Sequence, residues 1–303
     1  MSVDEAVYGA PPPELAAVSP GALQVSPLIP GARSIDALGD ATLSRFVILA
    51  PPGTLERRYA LAHGLRALRV GGELVALAPK TKGGTRLAKE LATFDATPRE
   101  DARRHHRLCR LERPAHPVGL EAAIAAGAAR RIPGLDLWSQ PGVFSWDRLD
   151  PGTALLIEHV GGLGGRGADL GCGIGILGRR VLASASVNEL ICADIDQRAI
   201  DAARRNIADP RARFPHRDIR LGDPELANLD FVIMNPPFHE GGNENRGLGL
   251  AFISAAANML RKGGVCRLVA NIALPYEGRL NAAFAKVNIL AQAQGYKVYE
   301  AIK

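Results

Sequence analysis

The chain has 303 residues, enough for two domains that each enclose a core. Its 47% apolar content is that of an ordinary soluble globular protein, and no charge-free apolar run reaches the length of a membrane span, so no membrane-spanning helix is expected. The net charge of +6 suits a polyanionic partner without requiring one.

The N-terminus carries Asp4 and Glu5 and has neither a basic stretch nor an apolar one, so no secretory signal is expected and the compartment reads as cytoplasm. Cys109, Cys172, Cys192 and Cys266 are scattered and form no C-x-x-C pair, so neither a disulfide framework nor a structural zinc site is expected. His105-His106 lies near Cys109, but no second Cys/His pair stands at zinc spacing, and no metal is expected.

Residues 1–31 are rich in Pro, Ala and Gly and include Pro11-Pro12-Pro13. They read as a loosely ordered arm or a packed extended segment, not a helix. The elements that follow are a strand over 45–50, a helix over 55–69, a strand over 73–78 and a helix over 85–94. An Arg-rich stretch comes next: Arg99, Arg103, Arg104, Arg107, Arg110 and Arg113, with His105 and His106, face only Glu100, Asp101 and Glu112 locally. It is either a solvated face or a surface for phosphates and bases, to which Arg is suited by its planar fork. Residues 120–129 read as an Ala-rich helix, and Ile132-Pro133-Gly134 as a boundary, giving domains 1–131 and 132–303.

The second half alternates more clearly. Strands are expected over 168–170, 189–193, 215–219, 231–234, 265–270, 287–292 and 296–301. Helices are expected over 176–183, 197–207, 250–260 and 280–284. Such alternation implies an α/β fold with an open, mostly parallel sheet and helices on both faces.

The chain contains an internal repeat. Phe46-Val47-Ile48-Leu49-Ala50-Pro51-Pro52-Gly53 mirrors Phe231-Val232-Ile233-Met234-Asn235-Pro236-Pro237-Phe238. Further on, Leu65-Arg66-Ala67-Leu68-Arg69-Val70-Gly71-Gly72 mirrors Ala257-Asn258-Met259-Leu260-Arg261-Lys262-Gly263-Gly264. The first copy has Ala50 for Asn235 and Gly53 for Phe238, and no Gly-rich loop precedes its turn. It keeps a scaffold and lacks the chemistry.

That chemistry has two parts. Asp169-Leu170-Gly171-Cys172-Gly173-Ile174-Gly175 follows a strand and opens a helix, so its glycines let the backbone approach a ligand at the carboxyl edge of the sheet. The spacing is not the GxGxxG of dinucleotide sites. An acid directly before the loop suits the methionyl ammonium of S-adenosylmethionine (SAM), reached directly or through water. Asp194, at the next strand end, is the candidate for the ribose hydroxyls, with Asp196 as the alternative. Asp218 is the candidate for the adenine amine, with Asp223 as the alternative.

The second part is Asn235-Pro236-Pro237-Phe238. The Asn235 side-chain oxygen and the Pro236 carbonyl can each accept a hydrogen bond from an exocyclic NH2. Prolines with fixed φ and no N–H make the turn rigid, and the Phe238 ring offers a stacking face. This turn also fits a glutamine side-chain amide, so a protein glutamine N5-methyltransferase stays open, as does a non-catalytic RNA-binding assembly factor.

With Pro141-Gly142-Val143-Phe144-Ser145, Leu149-Asp150, Leu155-Leu156, Asn235-Pro236-Pro237-Phe238-His239 and Leu274-Pro275-Tyr276, the chain resembles the bacterial ribosomal RNA guanine-N2 methyltransferases of the RsmC type. The resemblance covers most of the chain. It implies tandem Rossmann-like methyltransferase domains with a seven-stranded sheet, the N-terminal copy degenerate and serving RNA binding or stability. It implies SAM as cofactor and small-subunit ribosomal RNA, or the small subunit, as partner. Asn235, Pro236 and Phe238 would be catalytic; Asp169, Gly171, Gly173, Gly175, Asp194, Asp218 and Asn235 would line the cofactor site. His239 and Glu240 would relay the released proton or orient the loop, and Gly241-Gly242 with 243–246 would close over substrate.

Overall fold

The computed structural model describes residues 4–222, 224–237, 239–240, 243–244 and 246–303. The chain divides into two compact units, Met1–Ala128 and Ala129–Lys303.

The first unit has strands β1 (Glu5–Tyr8), β2 (Leu23–Gln24), β3 (Leu43–Leu49), β4 (Leu68–Pro79), β5 (Arg99–Arg103) and β6 (His106–Glu112). Its helices are α1 (Thr54–Ala67), α2 (Leu87–Ala92) and α3 (Leu120–Gly127). The strands form one sheet in the order β2-β1-β3-β4-β6-β5. Strands β2, β1, β3 and β4 run parallel, and β6 is antiparallel to both β4 and β5.

The Pro-rich start is a packed extended segment. Ala6, Val7 and Tyr8 are buried in β1, inside the sheet. Leu15 and Ala16 then cover Val7, Val47, Val75 and Leu77 on one sheet face. The opposite face is packed by α1 through Ala60, Leu61 and Leu65, against Phe46, Ile48 and Leu74. A strand buried on both faces loses the apolar/polar alternation, which is why β3 reads as a continuous apolar run. The Arg-rich stretch, given no element from sequence, is the hairpin β5–β6. Arg104 and His105 turn its corner at φ of 44° and 63°.

The second unit opens with the hairpin β7 (Arg130–Ile132) and β8 (Leu137–Ser139). Pro133-Gly134, read from sequence as a domain boundary, is the turn of this hairpin. Then follow α4 (Pro151–Ile157), β9 (Gly165–Leu170), α5 (Ile176–Val181), β10 (Val187–Ala193), α6 (Gln197–Asn206) and β11 (Ala212–Arg213). The remainder is β12 (Leu229–Met234), β13 (His239–Glu240), β14 (Asn243–Glu244), α7 (Arg246–Met259), β15 (Leu260–Asn271), α8 (Glu277–Ala283), β16 (Lys286–Ala293) and β17 (Tyr296–Ile302).

Seven of these strands form a sheet in the order β11-β10-β9-β12-β15-β17-β16. All neighbours are parallel except β17, which is antiparallel to β15 and β16. Alternate residues of β12 enter different cores: Val232 and Met234 pack with Phe252 and Ile253 of α7, while Phe231 and Ile233 pack with Leu177 and Ile200 of α5 and α6. The sheet is thus wound on both faces, the Rossmann-like arrangement expected. One expected strand, over 215–219, is absent. Asp218 accepts a hydrogen bond from the Arg220 N–H and starts a 3-10 turn at Ile219, so the chain leaves the sheet after β11 except for a single bridge between His216 and Asp194.

The two sheets share a topology. From β2 to β5 the first has the order of β10 to β16 in the second, lacking only the outermost strand. The repeated Leu-Arg-x-Gly-Gly blocks fall at equivalent places. Leu43 pairs with Leu68 and then Arg45 with Glu73; Leu229 pairs with Leu260 and then Phe231 with Val265. Each irregularity needs a left-handed residue, Gly71 and Gly263, both at φ +76°.

The first copy's Pro-Pro turn is filled from within. Arg57, 1% exposed, donates to Glu90 through Nε and Nη2 at 2.6 and 2.8 Å. Its Nη1 donates to the Pro51 and Pro52 carbonyls at 3.0 and 2.7 Å. The guanidinium therefore takes up both carbonyls of this turn. Arg57→Ala leaves the Glu90 carboxylate buried without its partner, and should lower stability by about 3–5 kcal/mol. Denaturant unfolding of the parent and variant chains measures it.

Candidate active site

Strand β9 ends at Leu170, and the next five residues climb over the sheet edge into α5. Gly175 stands at φ +83°, and a Cβ there would lie 3.1 Å from Ala203 Cβ and 2.9 Å from Ile207 Cδ1, so this glycine lets the loop pack on α6. Gly173 differs. Its φ is +54°, and a Cβ would meet nothing within 4 Å. Here the backbone faces open space, where a ligand can approach.

Two carboxylates hold this loop. Asp194, one residue past β10, accepts the Gly173 N–H on Oδ2 at 2.9 Å and the Asp196 N–H on Oδ1 at 2.9 Å. It remains partly exposed, with lone pairs to spare. Asp169, on β9, is completely buried beneath the loop. Its Oδ2 accepts the Gly178 N–H at 3.0 Å, at the start of α5, and its Oδ1 has no partner. Burial pushes Asp169 up to about 7 and Asp194 up to about 6.

Asp196, the alternative ribose acceptor, is already spent. It caps α6 by accepting the Arg198 N–H, and it holds the Arg198 guanidinium through Nε and Nη2 at 2.9 and 2.8 Å. Asp218 is spent in the same way. Arg220 Nε and Nη2 reach its two oxygens at 2.8 and 2.6 Å, and this contact holds the Asp218 carboxyl below the ordinary range. It lies on a turn and not at a strand end, and it does not line the cleft described below, contrary to the sequence expectation. Asp223 lies outside the described residues.

Asn235 directly follows β12, the neighbour of β9. Its Nδ2 donates to Asp150 Oδ2 and to Thr153 Oγ1, both at 2.9 Å. Pro236 is buried behind it and Pro237 is partly exposed. Phe238, Gly241 and Gly242 lie outside the described residues, as do the side chains of His239, Glu240 and residues 243–246.

Between these parts lies an open cleft. Gly171 and Gly173 line one side, and Asp150, Thr153 and Asn235 another. Phe144, Ser145 and Arg148 complete the rim, with Phe144 59% exposed. The structure thus brings Gly171, Gly173 and Asn235 together at one cleft, with Asp169 and Asp194 supporting its floor. Sequence reasoning missed Asp150, Thr153 and Arg148 as site residues because it assigned no helix there. The signal was present: Asp150-Pro151-Gly152-Thr153 is an N-cap, a proline at the first helical position and the residue whose N–H the cap receives.

The raised carboxyls set a pH dependence. Their folded-state values lie above the ordinary 3.8, so folding takes up protons, and the protein alone loses stability as pH rises from about 4 to about 7. Across that window the carboxylates become charged and gain power as acceptors. Thermal unfolding without ligand should show the parent losing ground to Asp169→Asn between about pH 4 and about pH 7. Calorimetric SAM affinity of the parent should rise over the same interval; a flat profile in both measurements would count against the assignment.

Comparison with known proteins bears on the whole chain. Residues 134–300 match the family model described as Methyltransferase small domain. The ribosomal RNA small subunit methyltransferase C of Stutzerimonas stutzeri (strain A1501) is 34% identical over 264 residues, covering 84% of this chain and 78% of that protein. Its counterpart in Pseudomonas entomophila (strain L48) is 34% identical over 266 residues, with the same coverage. Among solved structures, the T. thermophilus 16S rRNA N2 methyltransferase RsmC, in complex with AdoMet and guanosine, aligns over 99% of this chain and 88% of its own at a TM-score of 0.78 and 24% identity, a likeness of fold. By the family model and by these relatives, the chain belongs to the small-domain methyltransferases and, within them, to the ribosomal RNA small subunit methyltransferase C family.

Proposed function

We propose that the second unit transfers a methyl group from SAM to the exocyclic N2 amine of a guanine in small-subunit ribosomal RNA. One observation carries the reading: the Asn235 amide gives its nitrogen to α4, and among the described residues its oxygen accepts nothing, beside an open Gly loop. The family membership supports the reaction class. The T. thermophilus enzyme of the same fold was solved with AdoMet and guanosine, which supports the base.

The residues fit the cofactor. Gly173 offers uncrowded backbone, Asp194 has acceptor capacity for two hydroxyls, and the orphan Asp169 oxygen is a buried acceptor under the loop. When bound, SAM supplies a methyl group on a sulfonium, which leaves as a neutral thioether.

The protein's own task is to make a poor nucleophile competent. The N2 lone pair of guanine is delocalised into the ring. Asn235 Oδ1 and the Pro236 carbonyl accept the two N2 protons, which favours a tetrahedral nitrogen and aims its lone pair. The same acceptors stabilise the positive charge that grows on N2 as the N–C bond forms. Because the leaving group is good, alignment matters more than a strong base. The base is reached unpaired or flipped out, and Phe238 is the residue proposed to stack on it. His239 and Glu240 follow in the chain as the groups proposed to pass on the N2 proton. The substrate sets this work in the cytoplasm.

The first unit, with its turn closed by Arg57, is proposed to hold RNA and not SAM. Its β5–β6 hairpin presents Arg103 and Arg104 with side chains 63% and 70% exposed, each with one acidic neighbour, Asp101 and Glu14. Replacing both arginines with Ala should weaken RNA binding and reduce the slope of log affinity against log salt by about one for each phosphate no longer neutralised. Unchanged affinity and slope would leave the hairpin a solvated face.

Asn235→Ala should keep SAM affinity and reduce turnover roughly a hundredfold or more, as removal of one transition-state hydrogen-bonding group does. RNA carrying inosine at the target lacks the 2-amino group and should accept no methyl. Methylation of the inosine RNA, or a methyl found on adenine, would overturn the guanine-N2 reading. Label found only in protein would favour a glutamine amide instead.

A further inference from the structure

Asp150 and Thr153 precede Asn235 by 85 and 82 residues in the chain, yet both touch its amide nitrogen. The three side chains form a closed set. Asp150 Oδ2 accepts from the Thr153 backbone N–H at 2.8 Å, from Thr153 Oγ1 at 3.1 Å and from Asn235 Nδ2 at 2.9 Å. An ionised carboxylate can only accept. The Thr153 hydroxyl proton therefore goes to Asp150, and the Thr153 oxygen is left as an acceptor for Asn235.

Both partners of the Asn235 nitrogen can thus only accept. An amide turned the other way would set its oxygen 2.9 Å from a carboxylate oxygen with no proton between them. The hydrogen-bond network fixes the orientation of a group whose oxygen and nitrogen are otherwise interchangeable in shape. The oxygen then has a single direction, away from α4. The carboxylate on the nitrogen side also draws the amide's positive end toward itself and leaves more negative charge on Oδ1.

We propose that Asp150 and Thr153 are positioning residues for methyl transfer: they lock the Asn235 amide with its oxygen toward the substrate amine, and the Asp150 carboxylate polarises that amide as the amine gains positive charge. This rests on the reading of Asn235 Oδ1 as the amine's acceptor. Asp150 has a second duty as the N-cap of α4, and it borders the cleft, so the test must separate positioning from folding and from cofactor binding.

Asp150→Ser keeps a good N-cap and removes the carboxylate. Thr153→Val removes the hydroxyl at nearly constant shape, and Thr153→Ser restores it. With the full chain, unmodified small-subunit RNA and saturating tritiated SAM, single-turnover methylation should slow roughly tenfold to a hundredfold in Asp150→Ser and Thr153→Val, as a misaligned reacting group does. Thr153→Ser should react at close to the parent rate. Calorimetric SAM affinity should stay at the parent value in all three.

On an Asn235→Ala background, Asp150→Ser should slow the reaction no further, because the group it acts through is gone. Additive loss on that background, or a loss that follows weaker SAM binding, overturns the positioning role. Asp150→Ser and Thr153→Val at the parent rate beside an impaired Asn235→Ala overturn it alone. An unimpaired Asn235→Ala overturns the reading of Asn235, and the positioning role with it.

Discussion

A parallel sheet brings the carboxyl ends of its strands to one edge, and the backbone there must find partners other than the ladder. Strands β9, β10 and β12 are parallel neighbours, so the Gly loop, Asp194 and Asn235 emerge side by side. Each exit is held by a side chain, beside the backbone bonds that Gly171 and Cys172 give to Ala193 of β10. Asp194 takes the Gly173 N–H, Asp169 takes the Gly178 N–H, and Asp150 takes the Thr153 N–H and the Asn235 amide. The site is thereby assembled from groups whose first function is to satisfy chain ends. This is why residues as distant as 150 and 235 share one hydrogen-bond network.

The two units apply opposite solutions to the same turn. In the first, Arg57 reaches back into Ala50-Pro51-Pro52-Gly53, takes two carbonyls, and neutralises itself on Glu90. The two carbonyls of the turn are thereby engaged from within the chain. In the second, the amide nitrogen of Asn235 is satisfied by Asp150 and Thr153, and the residue lines the cleft. The scaffold is common to both, as the shared strand order shows. The difference lies in which polar groups the protein leaves unpaired.

Legibility followed the same division. The strands β3 and β12 are buried on both faces, so apolar runs revealed them, and the repeated Gly-Gly blocks revealed the duplication because both need a left-handed residue at the same irregularity. The Gly loop and the Asn-Pro-Pro turn were readable because their residues carry unusual backbone demands. Less was readable where tertiary contacts decide. The N-terminal segment lacks periodicity because it covers a sheet face as extended chain, and Asp218 looked like a strand-end carboxylate until Arg220 was seen to bind it. Asp150 and Thr153 carry the pattern of a helix start that the sequence reading passed over, and only the fold puts that start against Asn235.

The energetics of the site follow from what it leaves unfinished. Asp169 keeps one oxygen without a partner in a buried position, and burial raises both it and Asp194 well above an ordinary carboxyl. Such groups destabilise the folded chain once they are charged. A ligand that supplies hydroxyl and ammonium donors relieves that cost and binds only the folded form, so it stabilises by mass action. The first unit shows the alternative, in which a buried guanidinium and carboxylate finish each other and no ligand is needed. A binding-competent copy must carry polar groups that its own fold does not satisfy.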